Sequence, residues 1–361
     1  MEFVEHNAES LKLLIESQQF KTWNDIPISY HRALSHLANP NLKEGDVLLI
    51  TITENKELVG YLGFLPDNFV SDNQKNHVAW VTCFWVKPAL RGKNIATQLI
   101  QRAKKTWGGC LIISGMVPQT EKIYLNSGLF DKAYSFEGIK VFTGFDLSNW
   151  LPPKHILFRK LVGVLKMADL VLSVLNKASF KLKNNKVSEN QISIAVFDDT
   201  LQSFLDHQAK NYCTQKGFKA WKWLMENPWV LENRRAEHRY YFTAVAKRFL
   251  NIAYQIKNGE GKIIAFLMLT INNKTLKVPA LYGYDQAENE ITQLIVQSIK
   301  KHHVASFISY QPQLVNAINH GKLKGFYKKA QKRKIFIGTA IDYHNFNASQ
   351  FQDGDGDLGF T

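Results

Sequence analysis

Cysteine is scarce: 361 residues contain three, Cys83, Cys110 and Cys213. They are too few and too scattered for a disulfide framework or a zinc site, so no metal is expected, and a reducing, cytoplasmic setting fits best. Uninterrupted apolar runs are also missing. The most apolar stretch, Ile156 to Leu175, is broken by Arg159, Lys160, Lys166 and Asp169, which argues against a bilayer span. The first residues, MEFVEHNAES, are acidic where a secretory signal carries positive charge and then a long apolar core, so no signal peptide is expected. Carboxylates are under-represented: Asp+Glu number 31 against Lys+Arg 45. Such a surplus favours polyanionic partners, whether nucleotide cofactors, nucleic acid or an acidic membrane face, without choosing among them.

What is present suits a globular α/β chain of about two domains, each long enough to bury a core. Apolar spacing predicts early helices from Glu9 to Ser17 and around His31 to Leu37. Val47 to Thr53 and Leu58 to Phe64, either side of Glu54-Asn-Lys56, read as a hairpin. Val78 to Val86, VAWVTCFWV, reads as a buried strand that Pro88 stops. A helix from about Asn94, a strand at Cys110 to Ser114, a helix around Glu121 to Asn126 and a strand pair ending near Asp146 follow. At the junction of buried strand and helix stands Ala89-Leu-Arg-Gly-Lys-Asn-Ile-Ala-Thr97. The unpaired N–H groups and positive dipole of a helix start seat an anion there, a phosphate above all.

This order, with Val86-Lys-Pro-Ala-Leu-Arg-Gly-Lys-Asn-Ile-Ala96 and Tyr124-Leu-Asn-Ser-Gly-Leu-Phe130, resembles the GCN5-related N-acetyltransferase (GNAT) family. Arg91, Gly92, Lys93 and Ala96 are in register with its pyrophosphate loop. Asn94 stands where the family usually has glycine, and Asn tolerates left-handed backbone angles. Val117 replaces an asparagine common upstream of the tyrosine, and Leu129 separates Gly128 from Phe130. The resemblance implies a mixed, splayed, mostly antiparallel sheet flanked by helices that binds acetyl-CoA or another acyl-CoA. It implies that Arg91, Gly92, Lys93, Asn94, Ile95, Ala96 and Thr97 hold the pyrophosphate. The strand end Phe84, Trp85 and Val86 would pair with the pantetheine arm, and Tyr124 would give a proton to the departing thiolate. Cys83 reads as a strand residue rather than a nucleophile. No carboxylate or histidine lies in 78–86 to serve as general base, which leaves His77, a water relay or a residue of the second domain.

Short echoes recur about 195 residues on: Thr97-Gln-Leu-Ile100 as Thr292-Gln-Leu-Ile295, Pro118-Gln119 as Pro312-Gln313, and Gly128 with Phe130 as Gly325-Phe326. A tandem of the same fold follows, with residues 1–150 as the acyl-CoA domain, 151–190 as a basic linker helix and 191–345 as a degenerate GNAT-like domain. Residues 346–361 are expected to be a flexible acidic tail. At the repeated loop, Gln286-Ala-Glu-Asn-Glu-Ile291 has lost the glycine and gained Glu288 and Glu290, whose charge disfavours a pyrophosphate.

Other stretches admit two readings each. Residues 155–182 form a basic, helix-like segment that either lies on an anionic membrane or packs as a linker between domains. Lys322 to Lys334 either meets a nucleic-acid backbone or is a solvated face; no nucleic-acid partner is expected. Trp221 to Trp229 either offers aromatic faces to a sugar or packs a core. The leading expectation is an acyl-CoA-dependent N- or O-acyltransferase acting by direct transfer on a small-molecule amine or sugar-type acceptor. The alternatives are a Fem-like aminoacyl-tRNA-dependent transferase and a non-catalytic module that binds coenzyme A or a partner.

Overall fold

A strand buried on both faces must be apolar almost continuously, and Val78 to Val86 meets that demand because helices cover both sides of its sheet. The computed structural model describes residues 1–71, 74–116, 118–177, 190–235, 237–323 and 325–360. Along the first half run β1 (Glu2–His6), α1 (Ala8–Glu16), α2 (Gln18–Thr22), α3 (Tyr30–Leu37), β2 (Leu49–Glu54), β3 (Glu57–Ser71) and β4 (Gln74–Val86). They are followed by α4 (Ile95–Thr106), β5 (Leu111–Ser114), α5 (Pro118–Leu125), β6 (Ala133–Phe142), α6 (Leu147–Trp150), α7 (Ile156–Lys160) and α8 (Val162–Lys177). The second half contains β7 (Gln191–Ile194), α9 (Asp199–Ala209), α10 (Phe218–Glu226), β8 (Leu231–Glu232), β9 (Val245–Ala246), β10 (Phe249–Lys257), β11 (Ile263–Asn272) and β12 (Thr275–Tyr282). It ends with α11 (Glu288–Lys301), β13 (Ser306–Ser309), α12 (Pro312–Asn319) and β14 (Tyr327–Ile337).

These elements build two compact units, one of Met1–Phe136, Phe197–Lys247 and Arg333–Thr361, the other of Glu137–Val196 and Arg248–Lys332. The first unit's sheet runs β1-β2-β3-β4-β5 and is completed by the end of β14, where Ile335 pairs with Ser114. Ile95, Leu99 and Ile100 of α4 pack with Ile52, Phe64 and Val81 on one face. On the other, Leu11, Leu14 and Ile15 of α1 meet Leu49, Tyr61 and Trp85. The three α1 residues lie at the i, i+3, i+4 spacing that puts them on one side of a helix. The second unit's sheet runs β6-β13-β12-β11-β10-β7, and Ile291, Leu294, Ile295 and Ile299 of α11 cover Leu267, Leu269 and Ile271.

The element order β3-β4-α4-β5-α5-β6 recurs as β11-β12-α11-β13-α12-β14, with β5 and β13 starting 195 residues apart. The division differs from boundaries at 150 and 191 because each unit's sheet takes a strand from the other half of the sequence. Residues 143–146 do not form the second member of a closing strand pair; β6 ends at Phe142. The linker segment is two helices belonging to the second unit. Of the cations expected on it, Lys181, Lys183 and Lys186 lie outside the described residues, as do Glu189, Val117 and Lys324.

The tail is not a loose end. Phe351, Gln352, Asp355 and Phe360 are buried, and the Phe360 ring stacks on Trp229 at 4.0 Å and 6°. Its apolar residues outweigh the solvation its three aspartates would gain. The tryptophans of 221–229 are core: Trp221, Trp223 and Trp229 are all buried, with indole N–H groups donating to Lys216 O, Ser35 O and Ser35 Oγ at 2.8, 2.9 and 2.8 Å. They present no face to a sugar.

Candidate active site

Strands β4 and β5 lie parallel and pair only from Ala79 to Val81 with Leu111 to Ile113. Beyond Val81 they diverge, so β4 from Thr82 to Val86 keeps its pairing with β3 while, among the described residues, no strand pairs with its other edge and Arg91 Nε donates to Val86 O at 3.3 Å. The divergence coincides with a bulge in β4. The register with β3 shifts between Tyr61↔Trp85 and Gly63↔Thr82, and Cys83 takes a φ of 53°. Bulges re-aim side chains in this way. Cys83 Sγ lies 2.9 Å from Tyr240 Oη and is buried, a packing role rather than a nucleophile's. Of the expected pantetheine residues, Trp85 and Val86 are buried and Phe84 half-buried.

At the end of β4 the chain turns through Pro88–Leu90 and enters α4 by Asn94, whose φ of 63° and ψ of 8° are left-handed. Gly92 also has a positive φ, 86°, and a Cβ there would meet nothing within 4 Å. No side chain caps α4. Its first N–H groups therefore face outward beside the exposed Arg91, Gly92, Lys93, Asn94 and Thr97. Ile95 anchors the helix start against β3 at Gly60, where a Cβ would lie 3.2 Å from Ile95 Cγ2, with Ala96 half-buried beside it. An uncapped helix start with two flanking cations is chemically suited to a pyrophosphate.

Tyr124 stands on α5, buried, with its ring 5.8 Å from Phe84 and 6.0 Å from Phe130. Among the described residues no hydrogen bond holds its hydroxyl. Burial raises its pKa, and the charge of Asp357 raises it further. Such a phenol stays protonated and can donate.

Asp357 was not foreseen. It lies in the short 3₁₀ turn Gly356–Phe360, with the Thr82 hydroxyl in hydrogen-bonding range. Its neighbours fix that turn at the point of divergence: a Cβ on Gly356 would meet the Trp80 ring of β4 at 2.6 Å, and Leu358 lies against Gly115 at the end of β5. Burial raises the Asp357 pKa above the ordinary 3.8, against the opposing charge of Arg32 and the Thr82 bond. Arg32 itself is buried, donates to Thr82 Oγ1 and, at 3.3 Å, to Tyr240 Oη, and lies 3.6 Å over the Trp229 ring. Two residues before Asp357, the tail is clamped. Lys216 Nζ lies 3.8 Å from Asp355 and 3.6 Å from Asp67 and donates to Gly354 O at 3.0 Å. Thr214 Oγ1 donates to Asp355 at 2.7 Å. Asp355 thus belongs to a buried ion-pair network with Lys216 and Asp67.

His77 sits elsewhere. It pairs with Asp46 at 2.9 Å, and five residues of strand, roughly 17 Å at ~3.4 Å per residue, separate it from Thr82.

In the second unit the corresponding helix start is closed to anions. Glu288 accepts from Tyr284 Oη at 2.9 Å and pairs with Lys322 at 2.5 Å, a bond that holds its pKa low. Glu290 is buried and accepts from Asn190 at 2.9 Å.

A sheet split beside an uncapped, cation-flanked helix start is an arrangement suited to an extended ligand that carries a pyrophosphate. Residues 9–110 match the model of the acetyltransferase (GNAT) family. No curated protein sequence matches. Among solved structures, a protein from Enterococcus faecalis V583 described as a probable N-acyltransferase aligns with a TM-score of 0.52 at 10% identity, covering 93% of this chain and 72% of that one. Saccharomyces cerevisiae N-myristoyltransferase with bound myristoyl-CoA aligns with a TM-score of 0.52 at 11% identity, covering 97% and 83%. At such identities the likeness speaks for the shared fold.

Proposed function

We propose that the chain is an N- or O-acyltransferase that moves an acetyl group directly from acetyl-CoA to a small amine or sugar-type acceptor. The observation that carries this reading is the split between β4 and β5, with the open Arg91–Thr97 helix start at one end and Tyr124 and Asp357 at its origin. Backbone N–H groups of the loop, with Arg91 and Lys93, bind the donor's pyrophosphate. The free edge from Phe84 to Val86 offers N–H groups to the pantetheine arm and the thioester oxygen. Asp357 accepts the proton that the acceptor loses as its lone pair attacks the thioester carbon. Tyr124 gives a proton to the sulfur as the C–S bond breaks. Exclusion of water by Phe84, Phe130 and the tail strengthens both transfers. The second unit is a degenerate copy without a donor site.

The name of the matching family supports acetyl-CoA, while the yeast enzyme's structure holds myristoyl-CoA, so both donors belong in the test. Thiol release from each is measured against a panel of amines and amino sugars. The expected result is saturable release with at least one pair. Tyr124→Phe then lowers kcat by roughly 10²- to 10⁴-fold, the range for a proton-transfer group, with donor binding intact. A protein that neither binds millimolar acyl-CoA nor releases thiol sinks the reading, and binding without any turnover returns the chain to a coenzyme A-binding module.

A further inference from the structure

Exposed apolar side chains scattered singly over a surface need no explanation; seven within the span 156–171 do. Ile156 and Leu157 of α7, Leu161 at the joint, and Val164, Met167, Leu170 and Val171 of α8 are all exposed, Met167 by 73% and Leu170 by 70%. Positions 157, 161, 164, 167 and 171 advance by three or four residues and so share one side of the helical path. Lys154, Arg159, Lys160 and Lys166 flank that stripe and are exposed as well.

The one carboxylate between residues 151 and 177, Asp169, is turned the other way. It is buried, and its oxygens accept from the backbone N–H groups of Leu147 and Ser148 at 2.6 and 3.0 Å. Burial opposes its ionisation, but the bonds from Ser148 and Leu147 outweigh burial and hold its pKa below the ordinary value. Asp169 thereby pins α8 to the second unit in the orientation that shows apolar and basic residues to solvent and hides the acid. A helix packed as a linker has the reverse arrangement.

Beside this face a cavity of about 680 Å³ is lined by Phe145, Lys166, Leu170, Lys300 and His303, with Asp169 at its wall and Lys274 paired with Asp146 at 2.9 Å. Lysine is depleted where proteins meet proteins, whereas an apolar stripe bordered by lysine and arginine matches a surface of acyl chains under anionic headgroups. No helix among the described residues is long and apolar enough to cross a membrane, so such a contact lies on the bilayer rather than through it.

We propose that α7 and α8 form a membrane-surface anchor, laying the stripe from Leu157 to Val171 into the headgroup layer of an anionic bilayer while the cationic mouth beside Lys166 takes a lipid phosphate. The test is co-sedimentation of the full chain with vesicles of phosphatidylcholine alone and of phosphatidylcholine mixed with phosphatidylserine, with circular dichroism as a control for folding. The native chain is expected to sediment with the anionic vesicles, less so as salt rises, and weakly with neutral ones. In Met167→Glu with Leu170→Glu, partition should fall by at least about tenfold, and Lys160→Glu with Lys166→Glu should lose the preference for anionic lipid with its fold unchanged. Absence of sedimentation at low salt overturns the proposal, as does unchanged binding by folded variants. A concentration-dependent dimer abolished by the Met167 and Leu170 changes also overturns it, because a second copy would then cover the face.

Discussion

As the proposed base, Asp357 supplies what β4 lacks, a carboxylate within reach of the diverging strands, and its protonation would give the proposed reaction a pH signature. Its folded pKa lies above 3.8 because burial disfavours the ionised form. As a base it works only when ionised, so activity is present above that raised pKa and lost as pH falls through it. The native enzyme's acid limb is therefore expected above the range of a solvated aspartate. Asp357→Asn should lower kcat and remove that limb while leaving the KM for the donor unchanged. The same shift has the opposite sense for stability: a group with a raised folded pKa contributes most below its unfolded value and loses that contribution as pH rises through the folded one. The Tm of the native chain should accordingly gain on the variant as pH falls toward 3.8. An unaltered pH–rate profile in Asp357→Asn would show that the residue is structural. The turn into α4 was legible in the sequence because its requirements are local: Gly92 and Asn94 answer for two left-handed backbone positions within three residues. Asp357 was not, because it meets Thr82 at a separation of 275 residues with no spacing rule to announce it. The available signal was Leu358-Gly-Phe360, an apolar end after acidic residues that a free tail has no need of.

The element that positions Asp357 is the C-terminal segment, held at one end by the Lys216 network and at the other by Phe360 on Trp229. Buried charges tolerate only complete sets of partners, and removing one leaves the others uncompensated, at a cost of about 3–5 kcal/mol. Lys216→Met would leave Asp67 and Asp355, both buried, without their cation. Urea unfolding should show a loss of that order, and kcat per folded molecule should fall while donor binding persists. A variant that loses stability but keeps full kcat would separate the clamp from the chemistry. Periodicity revealed α1, α3 and α4 within a residue or two because each buries one face. It failed for the tail, whose short 3₁₀ turns have no apolar period and whose aspartates resemble a solvated end until Lys216 and Thr214 are placed beside them.

At the scale of the whole molecule, the repeat was readable from echoes about 195 residues apart, but the division into units was not. Strand exchange leaves no mark in composition: β6 continues into the second unit and β14 into the first, and both sequences suit either sheet. The two copies differ most where a donor would bind. The first has an uncapped helix start with Arg91, Gly92 and Lys93 exposed; the second has Glu288, kept ionised by Lys322, and a buried Glu290. A pyrophosphate gains from the dipole and the cations in one and meets like charge in the other, a difference of several kcal/mol at close range before screening. Calorimetric titration with acetyl-CoA should therefore give one site per chain. Binding should be lost in Gly92→Glu and in Lys93→Glu with Arg91→Glu, and unchanged in Glu288→Gln. The paired design guards against strain, since Gly92 has a left-handed φ that glutamate adopts at some cost, whereas Arg91 and Lys93 are exposed and their replacement changes charge alone. Two sites per chain, or binding that survives both first-unit variants, would place the donor outside the Arg91–Thr97 loop.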